Sequence, residues 1–541
     1  MAAITDRTRP AWVDDHDADR PPAPAARRGL VLEHWVLPGL AGTLGTLAAA
    51  LDWHGVDLPA QVYRVELFHR HGLVLWDSQW YGGHLTPGYS VLFPVVAGLL
   101  GVILTGIASA VLAAWSFNRL VRTHFGPVAR FGSACFAAGT LVPVIIGQLP
   151  FLMGEALALS ALWAARQRRG RIAFALAAAS ALTSPVAGAF LALGAAAWIL
   201  ATWPRRDRAV IGVLVASSIP LLAVIVLFPT AGFFPFPFAD LCWILGLCAA
   251  GLLLLPRSER VLRIGVVLYV LVTVASFMLA TPVGDNITRL GGCVGVPLAG
   301  CLLWPKRRFI FAVVAIPISA WQIAPAWGAI ATAGRDPSTH SVYFAPLLDY
   351  INAHDDPAGR VEIVPTRQHW EVAYVAPTLP LARGWERQLD IANNPMFYSG
   401  QPIAPEVYYA WLVTNGVRWV ALPNVSLDYA ATSEAAVLRQ HVAGLRPVWH
   451  NTQWKVWLVE GSPGITEGPA QGMAITGDTI DFVAAAVAPI TIRVRWNPHW
   501  TVADDQACLA KDASGWMVVH PLRTGPVHLK VSLLAQSARP C

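Results

Sequence analysis

Five clusters of basic residues divide the first 330 residues into long apolar stretches. The clusters are Arg119, Arg122 and Arg130; Arg166, Arg168, Arg169 and Arg171; Arg205, Arg206 and Arg208; Arg257, Arg260 and Arg263; and Lys306, Arg307 and Arg308. The stretches between them are about 30 to 47 residues long, too long for one membrane helix of about 20 residues and long enough for two. The pattern therefore predicts hairpins of membrane helices that begin and end on one side.

A turn sequence lies near the middle of each apolar stretch. These turns are Gly147-Gln148-Leu149-Pro150, Thr183-Ser184-Pro185, the segment 233–240 with Pro235 and Pro237, and Gly284-Asp285-Asn286. Four hairpins, together with single helices at 31–51, about 89–115 and about 309–330, predict a polytopic α-helical membrane protein with about eleven spans. The stretch 172–202 also fits one tilted helix with a proline kink, which would invert every later span.

The charged residues separate the chain into two parts. Residues 31–330 contain ten carboxylates, whereas residues 331–541 contain 18 acids and 15 bases. Only 13% of the whole chain is charged, against roughly a quarter in an ordinary soluble protein, which excludes a plain cytosolic enzyme. The net charge of +6 comes from the membrane part, because acids outnumber bases in the second part. It therefore gives no support for nucleic-acid binding.

The same basic residues predict the orientation in the membrane. The clusters contain 16 basic residues, whereas the turns on the opposite side contain only Arg64, Arg70 and Arg289. Basic residues favour the cytoplasmic side, so residues 331–541 are expected outside. Only four of the 39 basic residues are lysines, which is typical of high-GC bacteria and indicates a bacterial plasma membrane. Residues 1–30 lack an apolar run and are expected to form a disordered cytoplasmic tail, with no signal peptide.

The outer part is expected to contain two domains. Residues 335–460 alternate helical stretches with the apolar runs 361–364, 419–422 and 456–459, which predicts an α/β domain. A Gly/Pro-rich linker follows at about 461–472, and the alternating segments 490–496, 516–520 and 527–533 predict a β-sandwich over 473–541. Cys508 and Cys541 are the only cysteines of this outer part, and either a disulfide or two free thiols fits their spacing.

The first outer loop, at about 53–88, is the only long outer loop of the membrane part. Its segment Leu75–His84 places an acid among large rings, followed by two glycines, and can hold that acid against a flat polar ligand. The candidate site residues of this loop are Arg64, Glu66, Asp77, Trp80, Tyr81 and His84. The alternative is an aromatic belt at the membrane interface with incidental charges.

Three more candidates lie near the expected outer surface. Glu155 lies within or at the edge of the membrane, where an ionisable group indicates function unless it reaches back to the interface. Asp285 and Arg289 are four residues apart at a helix start, where Arg289 could meet a lipid phosphate or simply pair with Asp285. The outer aromatic residues that could stack on sugars, or form core, are Trp370, Trp385, Tyr398, Tyr408, Tyr409 and Trp411.

The chain resembles the GT-C superfamily of integral membrane glycosyltransferases. The features that carry the resemblance are the inside N-terminus, the acidic first outer loop, the short paired helices, the count of about eleven spans and the outer C-terminal domain. Leu75–His84 is the nearest equivalent of the family's acidic first-loop motif, with a single Asp77 where many members have paired acids. The resemblance implies transfer of a sugar from a polyprenyl-phosphate donor, usually with inversion, to an envelope glycan or lipid acceptor outside. Asp77 or Glu66 would be the base and Arg289 would meet the phosphate. No metal signature is present, and a divalent cation is left open.

Two other functions fit the same pattern. A transporter or flippase of lipid-linked sugars would also be hydrophobic and of this length, although its polar residues would be expected at the midplane of the membrane. A non-catalytic membrane scaffold could use the outer domain to bind envelope glycans. Fold-level likeness cannot decide between catalysis and binding.

The orientation leads to the first testable prediction. Because the basic clusters mark the cytoplasmic side of the membrane, we expect the C-terminus outside the cytoplasm. A reporter enzyme that is active only outside the cytoplasm should therefore be active when it is fused after Cys541. The measurement compares two fusions, one to a reporter active only outside and one to a reporter active only inside. Activity of the second fusion would contradict both the span count and the glycosyltransferase hypothesis.

Overall fold

Proline residues mark where several helices of the first part begin. The computed structural model describes residues 24–229, 232–304, 306–354, 359–503, 506–533 and 541. Pro59, Pro94, Pro150 and Pro185 each lie in the first turn of a helix, where a missing N–H leaves no hydrogen bond unmade. The helices up to residue 332 are α1 (Pro24–Ala50), α2 (Leu58–His71), α3 (Phe93–Leu100), α4 (Val102–Phe125), α5 (Arg130–Gly139), α6 (Leu141–Ile146), α7 (Leu149–Arg166), α8 (Gly170–Thr183), α9 (Pro185–Thr202), α10 (Arg208–Leu227), α11 (Phe238–Leu254), α12 (Arg260–Met278), α13 (Thr288–Leu303) and α14 (Arg308–Thr332).

The first helix begins earlier than the sequence predicts. α1 starts at Pro24, so residues 24–30 are helical, although the sequence predicts a disordered tail over 1–30. Alanine and arginine, which follow Pro24, are strong helix formers and continue the helix that the apolar stretch requires. The rest of the expected tail, residues 1–23, lies outside the described residues.

Six helical segments of the described residues are long and apolar enough to cross a membrane. They are Val102–Ile146, Pro185–Thr202, Arg208–Leu227, Arg260–Met278, Gly284–Leu303 and Arg308–Thr332. Shorter apolar helices lie at Trp35–Ala50, Gly170–Thr183 and Phe238–Leu254. The protein is therefore a helical chain with apolar helices compatible with a membrane, while the expected count of eleven spans is not confirmed. The first segment is interrupted by a 3-10 turn at Gly126–Ala129, which separates α4 from α5 and α6.

The stretch 172–202 forms two helices and not one kinked helix. Ser184 has an extended backbone with φ −150° and ψ 113°, and its hydroxyl accepts a hydrogen bond from the N–H of Ala187 at 3.4 Å. α9 packs on α8, since a Cβ atom added at Gly188 would lie 2.7 Å from Ala181. The alternative of one kinked helix over this stretch is therefore wrong.

The arginine-bearing ends of several helices lie together, and we call this the basic end. Arg166, at the end of α7, donates to the carbonyl of Thr123 in α4 at 3.2 Å. His124 contacts Glu259, the residue before α12, at 2.9 Å. The first outer loop lies at the other end of these helices, where the N–H of Val91 donates to the carbonyl of Leu182 near the end of α8 at 2.9 Å.

The first outer loop contains α2 and a short hairpin. Strand β1 (Trp76–Asp77) pairs antiparallel with β2 (His84–Leu85), so that Asp77 lies opposite His84. Gly83 has φ +125°, and an added Cβ atom would lie 2.1 Å from the Trp76 ring. Only glycine fits this position, because both the backbone angle and the space exclude a side chain.

An α/β domain follows α14. The three expected runs correspond to β3 (Arg360–Ile363), which ends one residue before the run does, β4 (Val417–Pro423) and β6 (Trp454–Val459). A further strand, β5 (Leu445–His450), was not predicted. The helices of the domain are α15 (Ser341–Asn352), α16 (Glu371–Tyr374), α17 (Arg387–Asn393), α18 (Pro405–Thr414) and α19 (Thr432–Val437). The sheet order is β3-β4-β6-β5, with β3 parallel to β4 and the other pairs antiparallel.

The described residues of the C-terminal part form two four-stranded sheets. Their strands are β7 (Thr466–Glu467), β8 (Ala470–Thr476), β9 (Thr479–Ala484), β10 (Ile490–Arg495), β11 (Trp500–Val502), β12 (Ala507–Lys511), β13 (Trp516–Pro521) and β14 (Gly525–Val531). The orders are β12-β13-β10-β7 and β11-β14-β9-β8. The expected linker at 461–472 instead supplies β7, which pairs with β10, and the start of β8. A disulfide joins Cys508 to Cys541, which confirms the first of the two alternatives for these cysteines.

Buried polar contacts join the first outer loop to the domains that follow. Arg64 of α2 and Glu386 form an ion pair with an N–O distance of 2.5 Å, and both side chains are buried. The N–H of Leu381 donates to the carbonyl of Gln79 at 2.8 Å. The loop therefore packs on the domains that follow α14 and is not a free connection between helices.

Candidate functional site

A polar cavity of about 690 Å³, which we call the junction cavity, lies where the first outer loop, the membrane helices and the α/β domain meet. The charged side chains on its wall are Asp57, Asp240, Asp285, Arg289, His369 and Arg387. Aromatic and amide side chains complete the wall, among them Tyr89, Gln148, Phe234, Trp321, Gln322, Trp385, Gln388 and Tyr429. Charged groups and rings on one concave surface are typical of a site for a polar ligand.

Asp57, the residue directly before α2, lines the junction cavity. Its backbone N–H donates to the carbonyl of Ile146 at 3.0 Å, which fixes the loop against the end of α6. Burial raises the pKa of the Asp57 carboxyl above its usual value, while the charge of Arg289 and a hydrogen bond from Gln148 partly oppose this rise. A carboxylate with a raised pKa is a stronger base than an ordinary aspartate, and Asp57 is therefore suited to general-base chemistry.

The start of α13 contributes an arginine and an acid to the cavity. Arg289 lies 5.4 Å from the centroid of the Phe151 ring, and among the described residues it forms no ion pair with Asp285. One carboxylate oxygen of Asp285 is buried and has no hydrogen-bond partner in the described part of the chain. Across the cavity, Asp240 accepts a hydrogen bond from the indole N–H of Trp321 at 3.2 Å. The guanidinium of Arg289 is thus available to an anionic ligand.

The α/β domain contributes two cations that a single carboxylate holds in place. Asp428 accepts hydrogen bonds from both terminal nitrogens of Arg387 at 3.0 Å and from Nε2 of His369 at 3.2 Å. Burial alone lowers the pKa of His369, but hydrogen bonds to Asp428 and Glu371 raise it to about 9. His369 is therefore protonated at neutral pH. The guanidinium of Arg387 also lies 4.6 Å from the ring centroid of Tyr429, which keeps this exposed ring in position.

A second cavity of about 440 Å³, which we call the bundle cavity, lies among α4, α7, α9, α11, α12 and α13. Its wall is almost entirely apolar, and Glu155 of α7 is the one carboxylate on it in the described residues. Cys293 lines both cavities, and Phe151, which contacts Arg289, lines the bundle cavity. The apolar and polar cavities are therefore adjacent along the first turns of α13.

Asp77, the predicted catalytic base, lines neither of these two cavities. Its side chain is fully buried and accepts hydrogen bonds from the Tyr63 hydroxyl at 2.8 Å and the Gln79 N–H at 3.0 Å. His84 lies 4.0 Å from Asp77, and the Trp80 ring stacks between Tyr63 and His84 with centroid distances of 4.5 and 5.5 Å. These contacts hold the side chain of Asp77 inside the loop. Its catalytic role stays a prediction.

The remaining predicted residues of the first loop also lie away from the cavities. Glu66 is exposed and pairs with Arg70 at 2.6 Å on the surface of α2. Arg64 is buried against Glu386, and the hydroxyl of Tyr81 donates to the carbonyl of Glu386 at 2.9 Å. Arg64 and Tyr81 therefore pack with Glu386. The predicted residues of the first loop line neither cavity, unlike Glu155, Asp285 and Arg289.

Three predicted residues do lie at the cavities. Asp285 and Arg289 line the junction cavity, and Glu155 lines the bundle cavity. Of the six outer aromatic residues considered for sugar stacking, Trp385 lines the junction cavity, and its indole N–H donates to the carbonyl of Val56 at 2.8 Å. The other five pack within the described α/β domain and line neither cavity.

Four residues of the junction cavity are not among the site residues that the sequence predicts: Asp57, His369, Arg387 and Tyr429. Asp57 carries a usable signal, since it follows the first apolar stretch and comes directly before a helix start with a proline. His369 and Arg387 have no such sequence signal. The residue that positions both is Asp428, which lies 59 residues after His369 and 41 residues after Arg387. Only the fold brings these groups together.

Comparisons with known proteins found no match from which a function could be assigned. No family model matches the chain, and no curated protein matches it. In the described residues, no group of three or more His, Cys, Asp or Glu side chains could hold a metal ion. Cys293 thus lies on the walls of both an apolar cavity and a cavity with charged side chains.

The pKa of His369 leads to a prediction about stability and pH. Its folded-state value of about 9 lies above the ordinary 6.5, so protonated His369 stabilises the fold fully below about pH 6.5, and this contribution is lost as the pH rises through about 9. We expect wild type to lose up to about 3 kcal/mol of unfolding free energy over this interval relative to His369→Gln. Thermal unfolding in detergent at a series of pH values measures the difference. Parallel pH profiles of the two proteins would contradict the prediction.

Proposed function

We propose that the protein is a membrane glycosyltransferase of the GT-C type that transfers a sugar from a polyprenyl-phosphate donor to an acceptor on the outer side. The observation that carries the proposal is that Cys293 lines both the bundle cavity and the junction cavity. A prenyl chain needs an apolar channel within the membrane, and the sugar phosphate needs a polar space directly above it. The bundle cavity and the junction cavity supply these two environments side by side.

Arg289 is the group that we assign to the phosphate. It lies on α13 one turn before Cys293, at the boundary between the two cavities. Its guanidinium can form two parallel hydrogen bonds to phosphate oxygens. Negative charge develops on the departing phosphate during glycosyl transfer, so a fixed cation here stabilises the transition state.

Asp57 is the group that we assign as the base. It faces the junction cavity, whereas Asp77 is enclosed by Tyr63 and Gln79. Removal of the proton from an acceptor hydroxyl requires a carboxylate within hydrogen-bond reach of that hydroxyl, and the raised pKa of Asp57 increases its basicity. The electron pair of the acceptor oxygen then forms the new glycosidic bond, and the bond from the sugar to the phosphate breaks.

The outer wall of the junction cavity suits the sugar rings. Trp385 and Tyr429 present aromatic surfaces there, and Arg387 with His369 supplies donors for hydroxyl or acidic groups. Apolar faces of pyranose rings pack on aromatic side chains, while their hydroxyl groups need hydrogen-bond partners. An envelope glycan is therefore the acceptor class that we favour.

The architecture supports the same proposal for the membrane part. If α5 and α6 form one crossing segment and α1, α7, α8 and α11 also cross, the helices α1 and α4 to α14 provide eleven spans. The junction cavity then lies on the outer side of a bacterial plasma membrane, with the basic end inside. Short helices can cross where the protein or tilted neighbours adapt the local thickness of the bilayer.

A flippase of lipid-linked sugars is the second candidate, and Glu155 favours it. This carboxyl group lies on the wall of the bundle cavity, where an ionisable group indicates a path for a polar head group. The two functions differ in their products. A purified transferase cleaves the sugar phosphate in detergent without a membrane barrier, whereas a flippase only moves the intact lipid between leaflets of a vesicle.

The assignment of Arg289 predicts a loss in the use of the lipid donor. Arg289→Ala should raise the KM for a polyprenyl-phosphate sugar by about 10- to 100-fold, because a charge-assisted hydrogen-bonded pair is lost. Arg289→Lys should recover part of the loss, since a point charge still meets a phosphate. Arg446→Ala removes an exposed, paired arginine far from both cavities and serves as the control. Equal KM values in all four proteins would contradict the assignment.

The assignment of the base predicts different effects of two aspartates. Asp57→Asn keeps the shape and removes the charge, and it should lower kcat by roughly 10²-fold or more with unchanged donor binding. Asp77→Asn should instead lower the melting temperature, because its hydrogen bonds to Tyr63 and Gln79 change. The exposed Asp349→Asn is the control. The assignment would be contradicted if Asp57→Asn kept full activity while a stably folded Asp77→Asn lost it. Asp77 would then be the base.

A further inference from the structure

A basic groove lies at the basic end, between the starts of α8 and α10, and we call it the arginine groove. Its volume is about 860 Å³. The side chains on its wall are Arg168, Arg171, Phe174, Arg205, Arg206, Asp207 and Arg208, together with Gly170, Ala209 and Gly212. Five arginines and one aspartate therefore face a single space.

Positive charges outnumber negative charges on the wall of this groove. Asp207 caps α10, and its carboxylate accepts a hydrogen bond from the N–H of Ala209 at 2.9 Å. Within the ranges that the structure describes, the guanidinium groups of Arg168, Arg171 and Arg208 have no carboxylate partner. Like charges this close repel each other, so a groove of this kind binds an anion when one is present.

Two helix starts reinforce the positive potential. α8 begins at Gly170 and α10 begins at Arg208, and both first turns face the groove. The start of α8 has no side-chain cap, so its unpaired N–H groups carry partial positive charge and can bind phosphate oxygens, whereas Asp207 already accepts from one N–H of α10. Small residues keep the floor open, since a Cβ atom added at Gly170 would meet only Ala209, at 3.8 Å.

The groove also borders an apolar surface. Phe174 lines it and is 46% exposed, and Ile172 beside it is 49% exposed. Both belong to α8, one of the apolar helices of the bundle, so acyl chains would cover them in a membrane. A ligand in the groove would therefore meet arginines with one part and hydrocarbon-facing side chains with another.

We propose that the arginine groove binds the phosphate headgroup of an anionic phospholipid of the adjacent leaflet. Charge complementarity favours an anion, and the exposed Phe174 and Ile172 favour one that carries acyl chains over a free phosphate. The groove lies at the opposite end of the helices from the junction cavity, so this site differs from the one assigned to the donor. The proposal does not depend on the glycosyltransferase function.

The test uses the full-length protein in nanodiscs of phosphatidylcholine that contain increasing fractions of cardiolipin. Native mass spectrometry measures the bound cardiolipin of wild type, of Arg171→Gln with Arg208→Gln, and of Arg257→Gln with Arg260→Gln. The third protein loses the same charge at the basic end from exposed arginines outside the groove. Arg171→Lys with Arg208→Lys keeps the charge and shows whether the groove folds normally.

We expect the groove variant to bind cardiolipin about tenfold or more weakly than wild type. The control variant should stay close to wild type, and the lysine variant should recover most of the affinity. Equal losses in the groove and control variants would overturn the proposal, because only the general charge of the surface would then matter. Displacement of cardiolipin by millimolar inorganic phosphate would also overturn it, because the site would then select a free anion.

Discussion

The buried ion pair between Arg64 and Glu386 joins two parts of the chain that are 322 residues apart. Both side chains are almost completely shielded from water, so loss of either partner would leave a buried charge and cost several kcal/mol, about 3 to 5 in comparable pairs. The guanidinium of Arg64 also lies 3.8 Å from the ring centroid of Tyr89, which lines the junction cavity. One interaction thus holds α2, the cavity wall and the α/β domain together.

A second set of buried charges supports the outer wall of that cavity. Arg383 donates to Asp390 at 2.6 Å and to Glu434 at 3.0 Å. Burial alone would raise the pKa of Asp390, but Arg383 holds it below its usual value, so the carboxylate stays charged. Tyr398 links this group to the next, because its hydroxyl donates to Asp390 and accepts from Arg387. The cations that face the cavity are therefore held by a network, and little reorganisation is needed when an anionic group binds.

The candidate site could be predicted only in part, and the difference has a physical cause. Arg289 and Asp285 could be predicted because they lie four residues apart at a helix start, where a guanidinium can meet a phosphate. Asp77 was chosen for its aromatic neighbours, but rings around an acid can equally bury it. In the structure Tyr63, from α2, closes over Asp77, and Trp516 of the C-terminal sheets packs against Gly82 beyond it. The sequence pattern of the loop cannot show which surfaces cover it from outside.

The sequence by itself determined the local elements of this protein. Apolar stretches with turn residues specified the helices of the hairpins, alternating residues specified the outer strands, and both patterns depend on a few neighbouring positions. Only the tertiary structure decided which polar groups share a cavity. Asp57 and Arg289 meet His369 and Arg387 there although up to about 330 residues separate them, because packing of the first outer loop on the α/β domain sets their distances. A contact between groups so far apart leaves no periodic signal in the chain, and the burial that raises the pKa of Asp57 exists only after that packing.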